Sequence, residues 1–201
     1  MSNEAALTLR QTMLVPIPCS SRDRSSRGIV DGLYTSQMSP TVQLEIRLRR
    51  TTDADVRTLH GFELDEAANA LAGTKPRDWP TFEARWKQIL ADLDGTVTRV
   101  TPRVILADGV LVGAVNIAPK DGHDSIGYWI DREHWGRGIA TRAVALMLAE
   151  FTRRPLFATT AGHNHPSIRV LEKNRFEILS RAATPATART VERETVTLVL
   201  R

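Results

Sequence analysis

The sequence holds a single cysteine, Cys19, in 201 residues. No internal disulfide can therefore staple the fold, and such usage suits a reducing, cytoplasmic compartment. No apolar run approaches the ~20 residues that a membrane span needs. The opening MSNEAALTLRQTMLVPIPCSS has no apolar core flanked by a cleavage site, so neither a span nor a leader is expected. Aromatic residues make up only 5% of the chain, and the Arg residues are scattered. With no Lys/Arg run interleaved with aromatics, the formal charge of +4 does not point to nucleic acid. His163 and His165, two apart, have no acidic or Cys partners at metal-ligand spacing, so no metal site is expected. No period of repeats is visible.

What is present, 42% apolar and 25% charged residues, is enough for one sizeable core. Residues 1–41 lack sustained periodicity and are rich in Ser, Arg, Pro and Gly. That composition reads as a disordered or loosely docked extension ahead of one domain over residues 42–201. Leu44, Ile46 and Leu48 alternate with charged residues as a half-buried strand. Thr51 or Thr52 caps a helix with Val56, Leu59 and Phe62 on one face. Asp65 to Pro80 reads as irregular; a second helix carries Phe82, Trp86, Ile89, Leu90 and Leu93 and closes at Gly95. Val104–Leu106 and Val110–Ile117 flank Asp108-Gly109, a hairpin signal, and Lys120 to Asp124 reads as a loop. Two closing strands are expected at Phe176–Ser180 and Thr195–Leu200. The order β-α-α-β-β-β-α-β-α-β-β is mixed α/β.

The most informative segment is IGYWIDREHWGRGIA, Ile126 to Ala140. An apolar-rich strand runs into a loop with Gly136 and Gly138, and a helix starts at once, with Ala140, Ala143, Val144, Met147, Leu148 and Phe151 at helical spacing. Glycines there leave backbone N–H groups open to a ligand. The first helical turn adds its own unpaired N–H groups and the positive end of the dipole, which together make a seat for a pyrophosphate. Arg153, Arg154 and Pro155 end the helix, and Leu156–Ala161 is a short strand, completing a unit long enough for a parallel crossover. No Lys-Ser/Thr follows the glycines, which argues against a nucleotide-binding loop. Residues 162–167, Gly-His-Asn-His-Pro-Ser, then open a short helix with Asn164 or His165 as its cap.

The segments GYWID (127–131), WGRGIAT (135–141) and NHPSIRVLEKNRF (164–176) resemble the GNAT superfamily of N-acetyltransferases, in the subgroup similar to the RimJ/RimL ribosomal-protein N-terminal acetyltransferases. Gly138-Ile139-Ala140 matches the second half of the superfamily's pyrophosphate motif. Trp135 stands where Gln or Arg is usual, and Arg175 where Gly usually precedes the Phe. The resemblance covers Leu44 to Arg201. It implies the GNAT fold, a mixed, mostly antiparallel central sheet flanked by helices, in which the parallel strands Ile126–Asp131 and Leu156–Ala161 splay apart to admit a pantetheine arm. It also implies acetyl-CoA as acetyl donor, to which a basic surface is suited, and a primary amine that attacks directly in a ternary complex. The acceptor stays open between a protein N-terminal α-amine and a small molecule such as an antibiotic, polyamine or metabolite. A non-catalytic acyl-CoA-binding module on the same fold stays open too, as does a homodimer.

Under that resemblance the cofactor falls to Trp129, Ile130 and Asp131 on the strand, to Trp135, Gly136, Arg137, Gly138, Ile139, Ala140 and Thr141 in the turn, and to Asn164 and Ser167 downstream. The N–H near Ile130 is the implied oxyanion donor. Ser125 occupies the position where this branch often has a Glu. The base is therefore sought in Asp124, or in His123, Glu63, Asp65 and Glu66, with an ordered water between. Leu171 occupies the place of the Tyr that protonates the leaving thiolate in many GNAT enzymes, which leaves Ser167 as the nearest hydroxyl.

Overall fold

The computed structural model describes residues 44–92 and 96–201. The expected extension over 1–41, with Cys19, and the expected helix end at Gly95 lie outside the described residues. Along the chain run β1 (Ile46–Arg50), α1 (Asp53–Glu63), α2 (Glu66–Ala72), α3 (Trp79–Ala91), β2 (Thr101–Ala107), β3 (Val110–Lys120) and β4 (His123–Ile130). They are followed by α4 (Ile139–Glu150), β5 (Leu156–Ala161), α5 (His165–Lys173), β6 (Glu177–Thr184) and β7 (Arg193–Leu200). The strands form one sheet in the order β1-β2-β3-β4-β5-β7-β6, antiparallel throughout except for the β4–β5 pair.

Side chains alternate across the sheet, so each face holds its own core. Val56 and Leu59 of α1 and Phe82 and Trp86 of α3 pack on Val104, Ala114 and Ala118. On the other face, Ala143, Val144 and Met147 of α4 and Ile168 and Leu171 of α5 pack on Ile105, Ile117, Ile126 and Tyr128. Thr52 is the cap of α1: its N–H and its hydroxyl both donate to Asp55 at 2.8 Å, and Arg49 holds that carboxylate with two bonds of 2.7 Å. The Arg49 hydrogen bonds hold Asp55 below the usual carboxylate range.

Two expectations need correction. Asp65 to Pro80 is not wholly irregular: Asp65 accepts from the Ala68 N–H at 2.8 Å and caps α2, an Ala-rich helix too short to show a period. Lys120 to Asp124 is not a loop but a second hairpin, in which Asp121 and Gly122 adopt positive φ (50° and 84°) just as Asp108 and Gly109 do (49° and 84°). Both pairs match the two-residue turn that fits strand twist, and β4 accordingly starts at His123. Strands β2, β3, β6 and β7 run two to four residues longer at one end than read from sequence, and β5 keeps its expected bounds.

Helix α5 ends in a Schellman motif, with Phe176 N–H donating to Leu171 O (3.1 Å) and Arg175 N–H to Glu172 O (2.9 Å). Arg175 takes the left-handed position at φ 66°, where Gly would be unstrained. The two closing bonds and the burial of Phe176 and Leu171 in one core hold it there.

Candidate active site

Strands β4 and β5 pair only at Asp124–Leu156 and Ser125–Phe157, and from Ile126 onward no pairing joins them. Asp131 N–H donates to Val112 O at 2.8 Å. In an antiparallel ladder, alternate residues point both backbone groups at the partner strand, so Trp129 and Asp131 face β3, whereas Tyr128 and Ile130 face the gap. The Ile130 carbonyl confirms the phase, because it accepts the Trp135 indole N–H at 2.8 Å, on the side away from β3. That bond ties the glycine turn to the strand and leaves the Ile130 N–H directed into the opening. Neither Trp129 nor Asp131 joins the gap-facing set as expected: the Trp129 backbone pairs with β3, and Asp131 has its N–H held by Val112, its carbonyl by His134 N–H at 2.9 Å and its carboxylate 3.0 Å from His134 Nδ1.

Beyond Trp135 the chain turns through Gly136 (φ 75°) and Gly138 (φ 72°) into α4. The first helical bond in this turn is Arg142 N–H to Gly138 O, so the N–H groups of Ile139, Ala140 and Thr141 head the helix without intrahelical partners. A Cβ on Gly138 would meet nothing within 4 Å, which leaves the approach to those donors clear. Ile139 and Ala140 point their side chains into the core, and Arg137 reaches back to the Glu133 carbonyl at 3.1 Å. The turn therefore offers a backbone cradle of the kind a pyrophosphate needs.

Across the gap, Asn164 caps α5 by accepting from Ser167 N–H at 3.1 Å. Its Nδ2 is buried and has no hydrogen-bond partner among the described residues. The cap thus uses only the oxygen of the amide and leaves its nitrogen free. Ser167 is fully buried, its Oγ 2.7 Å from the Tyr128 hydroxyl. Burial pushes the Tyr128 phenol far above its ordinary range, although the Ser167 contact opposes this, so Tyr128 stays protonated. Leu171 lies in the core, as its apolar character requires.

On the α1/α3 side of the sheet a cavity of about 390 Å³ opens onto the same gap. Ser125, Trp129 and Phe157 form its floor; Glu63, Arg77, Lys120, His123, Arg189 and Arg193 stand around it. Asp124 does not reach it. One residue out of phase with His123 and Ser125, it pairs on the far side with Arg153 at 3.4 Å and Arg99 at 3.6 Å, which corrects its expected place as base. Asp65 is spent on its cap and on Arg132 at 2.7 Å, and Glu66 is solvent-exposed in α2. His123 does reach the wall and rests on the Phe157 ring, centroids 4.6 Å apart. Sequence reasoning missed Arg77, Lys120, Arg189 and Arg193, which three separate parts of the chain supply.

Glu63 is also unsuited to be a base. Burial raises its pKa, but hydrogen bonds from Arg77 and the charges of Arg77 and Arg189 outweigh it and hold the carboxylate below its usual range. Arg77 Nε donates at 2.8 Å, Arg77 N–H at 3.0 Å and Arg189 Nη2 at 2.9 Å. This knot joins α1 to the loop before α3 and to the β6–β7 connection. Glu63→Ala leaves both guanidiniums unpaired and is expected to lower unfolding stability by about 3 kcal/mol or more, read from denaturant midpoints. A depressed carboxylate contributes above its unfolded pKa and loses that contribution as pH falls through its folded pKa. The parent should therefore lose stability below about pH 4 more steeply than the variant. Equal midpoints and parallel pH curves would show the knot to be idle.

A profile of the acetyltransferase (GNAT) domain family matches residues 45–177. None of the curated proteins compared with the chain matches it. Among solved structures, the chain is similar to Mycobacterium smegmatis RimJ in complex with CoA-disulfide, with 25% identity over 77% of this chain and 81% of that one, TM-score 0.61. It also resembles a Salmonella typhimurium acetyl transferase that modifies the N-terminal serine of ribosomal protein L7/L12, with 18% identity, 77% and 94% coverage and TM-score 0.63. The ribosomal-protein-S5-alanine acetyltransferase of Vibrio fischeri gives 20%, 77% and 92%, with TM-score 0.61. At those lower identities the likeness is one of fold.

Proposed function

The chain belongs to the acetyltransferase (GNAT) family and is an acetyl-CoA-dependent N-acetyltransferase; from that premise we propose that it acetylates the N-terminal α-amine of a protein. The reading is carried by the opening of the β4–β5 pair beside the Gly136–Gly138 turn. In this reading the gap joins the backbone cradle to the cavity, whose floor includes Ser125, Trp129 and Phe157 at the point where the pairing ends. Acetyl-CoA supplies the acetyl group as a thioester whose sulfur departs as a thiolate. In this assignment the N–H groups of Ile139 to Thr141 hold the pyrophosphate. The gap-facing groups of Tyr128 pair the pantetheine arm as a further strand would, and Asn164 Nδ2 adds a donor. The Ile130 N–H donates to the carbonyl oxygen as it gains charge. His123 takes the amine's proton by way of water, since Asp124 and Glu63 are engaged elsewhere. The motifs shared with RimJ/RimL-like enzymes support a protein N-terminus over a small amine.

Acetyl-CoA turnover against N-terminal peptides, polyamines and aminoglycosides tests the acceptor. Peptides with free N-termini should be consumed, and consumption of the small amines alone would sink the assignment. On the best peptide, His123→Ala should lower kcat/KM by about a hundredfold near pH 7. The deficit should shrink above about pH 8, where the α-amine is already neutral. A deficit equal at every pH would remove His123 from the role.

A further inference from the structure

Resting on that acceptor reading, we propose that the cavity selects an amine with a negative charge close by, namely a protein N-terminus with Asp or Glu directly after its first residue. Four cations, Arg77, Lys120, Arg189 and Arg193, line the cavity against two carboxylates, Glu63 and Asp121. Glu63 is already shared by Arg77 and Arg189. Among the described residues Lys120 and Arg193 form no ion pair. Lys120 donates to Thr159 Oγ1 at 2.8 Å, which uses one of three ammonium donors. Arg193 spends Nη1 on the Gly73 carbonyl at 2.6 Å and on that of Ala72, and its Nε is buried with no partner among the described residues.

The position of Lys120 sets the distance between charge and amine. It ends β3 opposite His123, and its side chain crosses β4 to reach Thr159 on β5. Thr159 lies two residues past Phe157, the last β5 residue that pairs with β4. The ammonium thus stands where the gap begins, beside the passage through which the acceptor amine meets the thioester. Half-buried cations with too little counter-charge leave desolvation incompletely compensated, and a ligand carboxylate supplies both charge and hydrogen-bond acceptors. Burial lowers the Lys120 pKa, with the charge of Arg193 adding to it and the charge of neighbouring Asp121 opposing it only in part. The same field disfavours polyamines and aminoglycosides.

The experiment compares two peptides that differ only at the second position, Ala-Glu and Ala-Gln, in kcat/KM with acetyl-CoA and in affinity by calorimetry with CoA present. The acidic peptide should be preferred by about tenfold to a hundredfold in both, the range of one charge-assisted hydrogen bond. In Lys120→Gln, which removes an unpaired charge and so does not threaten the fold, the preference should drop below about threefold. A parent that treats the two peptides alike overturns the proposal, as does a preference that Lys120→Gln leaves intact. If neither peptide turns over yet the calorimetric preference is present and depends on Lys120, the charge selection holds and the N-terminal acceptor is what fails.

Discussion

Gly138→Asp is expected to weaken acetyl-CoA binding by at least about a hundredfold while the protein stays folded, because like charge at a binding site costs several kcal/mol and each 1.4 kcal/mol is tenfold. The substitution is sterically permitted: a Cβ at Gly138 meets no atom within 4 Å. The backbone, at φ 72°, is one that Asp tolerates better than most residues, at about 1–2 kcal/mol. The new carboxylate lies just ahead of the first turn of α4 and can accept the N–H groups of Ala140 or Thr141, as helix caps do. It then both occupies the donors assigned to the pyrophosphate and repels it. Gly138→Ala carries the same backbone cost without the charge and should lose far less affinity. Calorimetry on both variants, with thermal melts as the check on folding, separates the two contributions. Parent-like affinity in a folded Gly138→Asp protein would sink the assignment of this turn.

That turn was legible in the sequence because its signals are local: two glycines, the helical spacing after them and the apolar strand before them. The acceptor side was not, and the reason lies in particular residues. The Asp121-Gly122 pair carries the same turn signal as Asp108-Gly109, but polar His123 and Asp124 follow it, so the start of β4 was read three residues late. With β4 begun at His123, the period of two places Ser125 and His123 on one face and Asp124 on the other, where Arg99 and Arg153 hold it. Helix α2 was hidden for a different reason, since seven residues are too few to display a helical period. Glu63, Arg77 and Arg189 meet only because the β6–β7 connection is bound to the loop after α2, by Lys75 N–H to Arg189 O at 2.9 Å and Val191 N–H to Gly73 O at 3.1 Å. No local pattern encodes such a meeting.

Ser167→Ala is expected to lower kcat by roughly tenfold to a thousandfold, the range for losing one proton donor, with little change in acetyl-CoA affinity. The sequence motivated this by the Leu at 171, and the structure adds a partner. The Ser167 hydroxyl lies 2.7 Å from that of Tyr128, on the residue whose backbone faces the gap. Because burial keeps Tyr128 protonated, it can donate a hydrogen bond to Ser167 Oγ and leave the serine O–H to donate to the departing thiolate, which takes up the proton released by the amine so that Ser167 and Tyr128 end as they began. A donor that meets charge only as the thiolate forms acts in the transition state, so its loss belongs in kcat and not in binding. Tyr128→Phe keeps the ring in the core but removes the proton behind Ser167, and should therefore show a smaller loss of the same kind. The Ser167→Ala Tyr128→Phe double variant should fall no lower than Ser167→Ala alone, since residues acting in series are not additive. If kcat of Ser167→Ala stays within about twofold of the parent on a good acceptor, Ser167 only helps to pack the start of α5, and water protonates the thiolate.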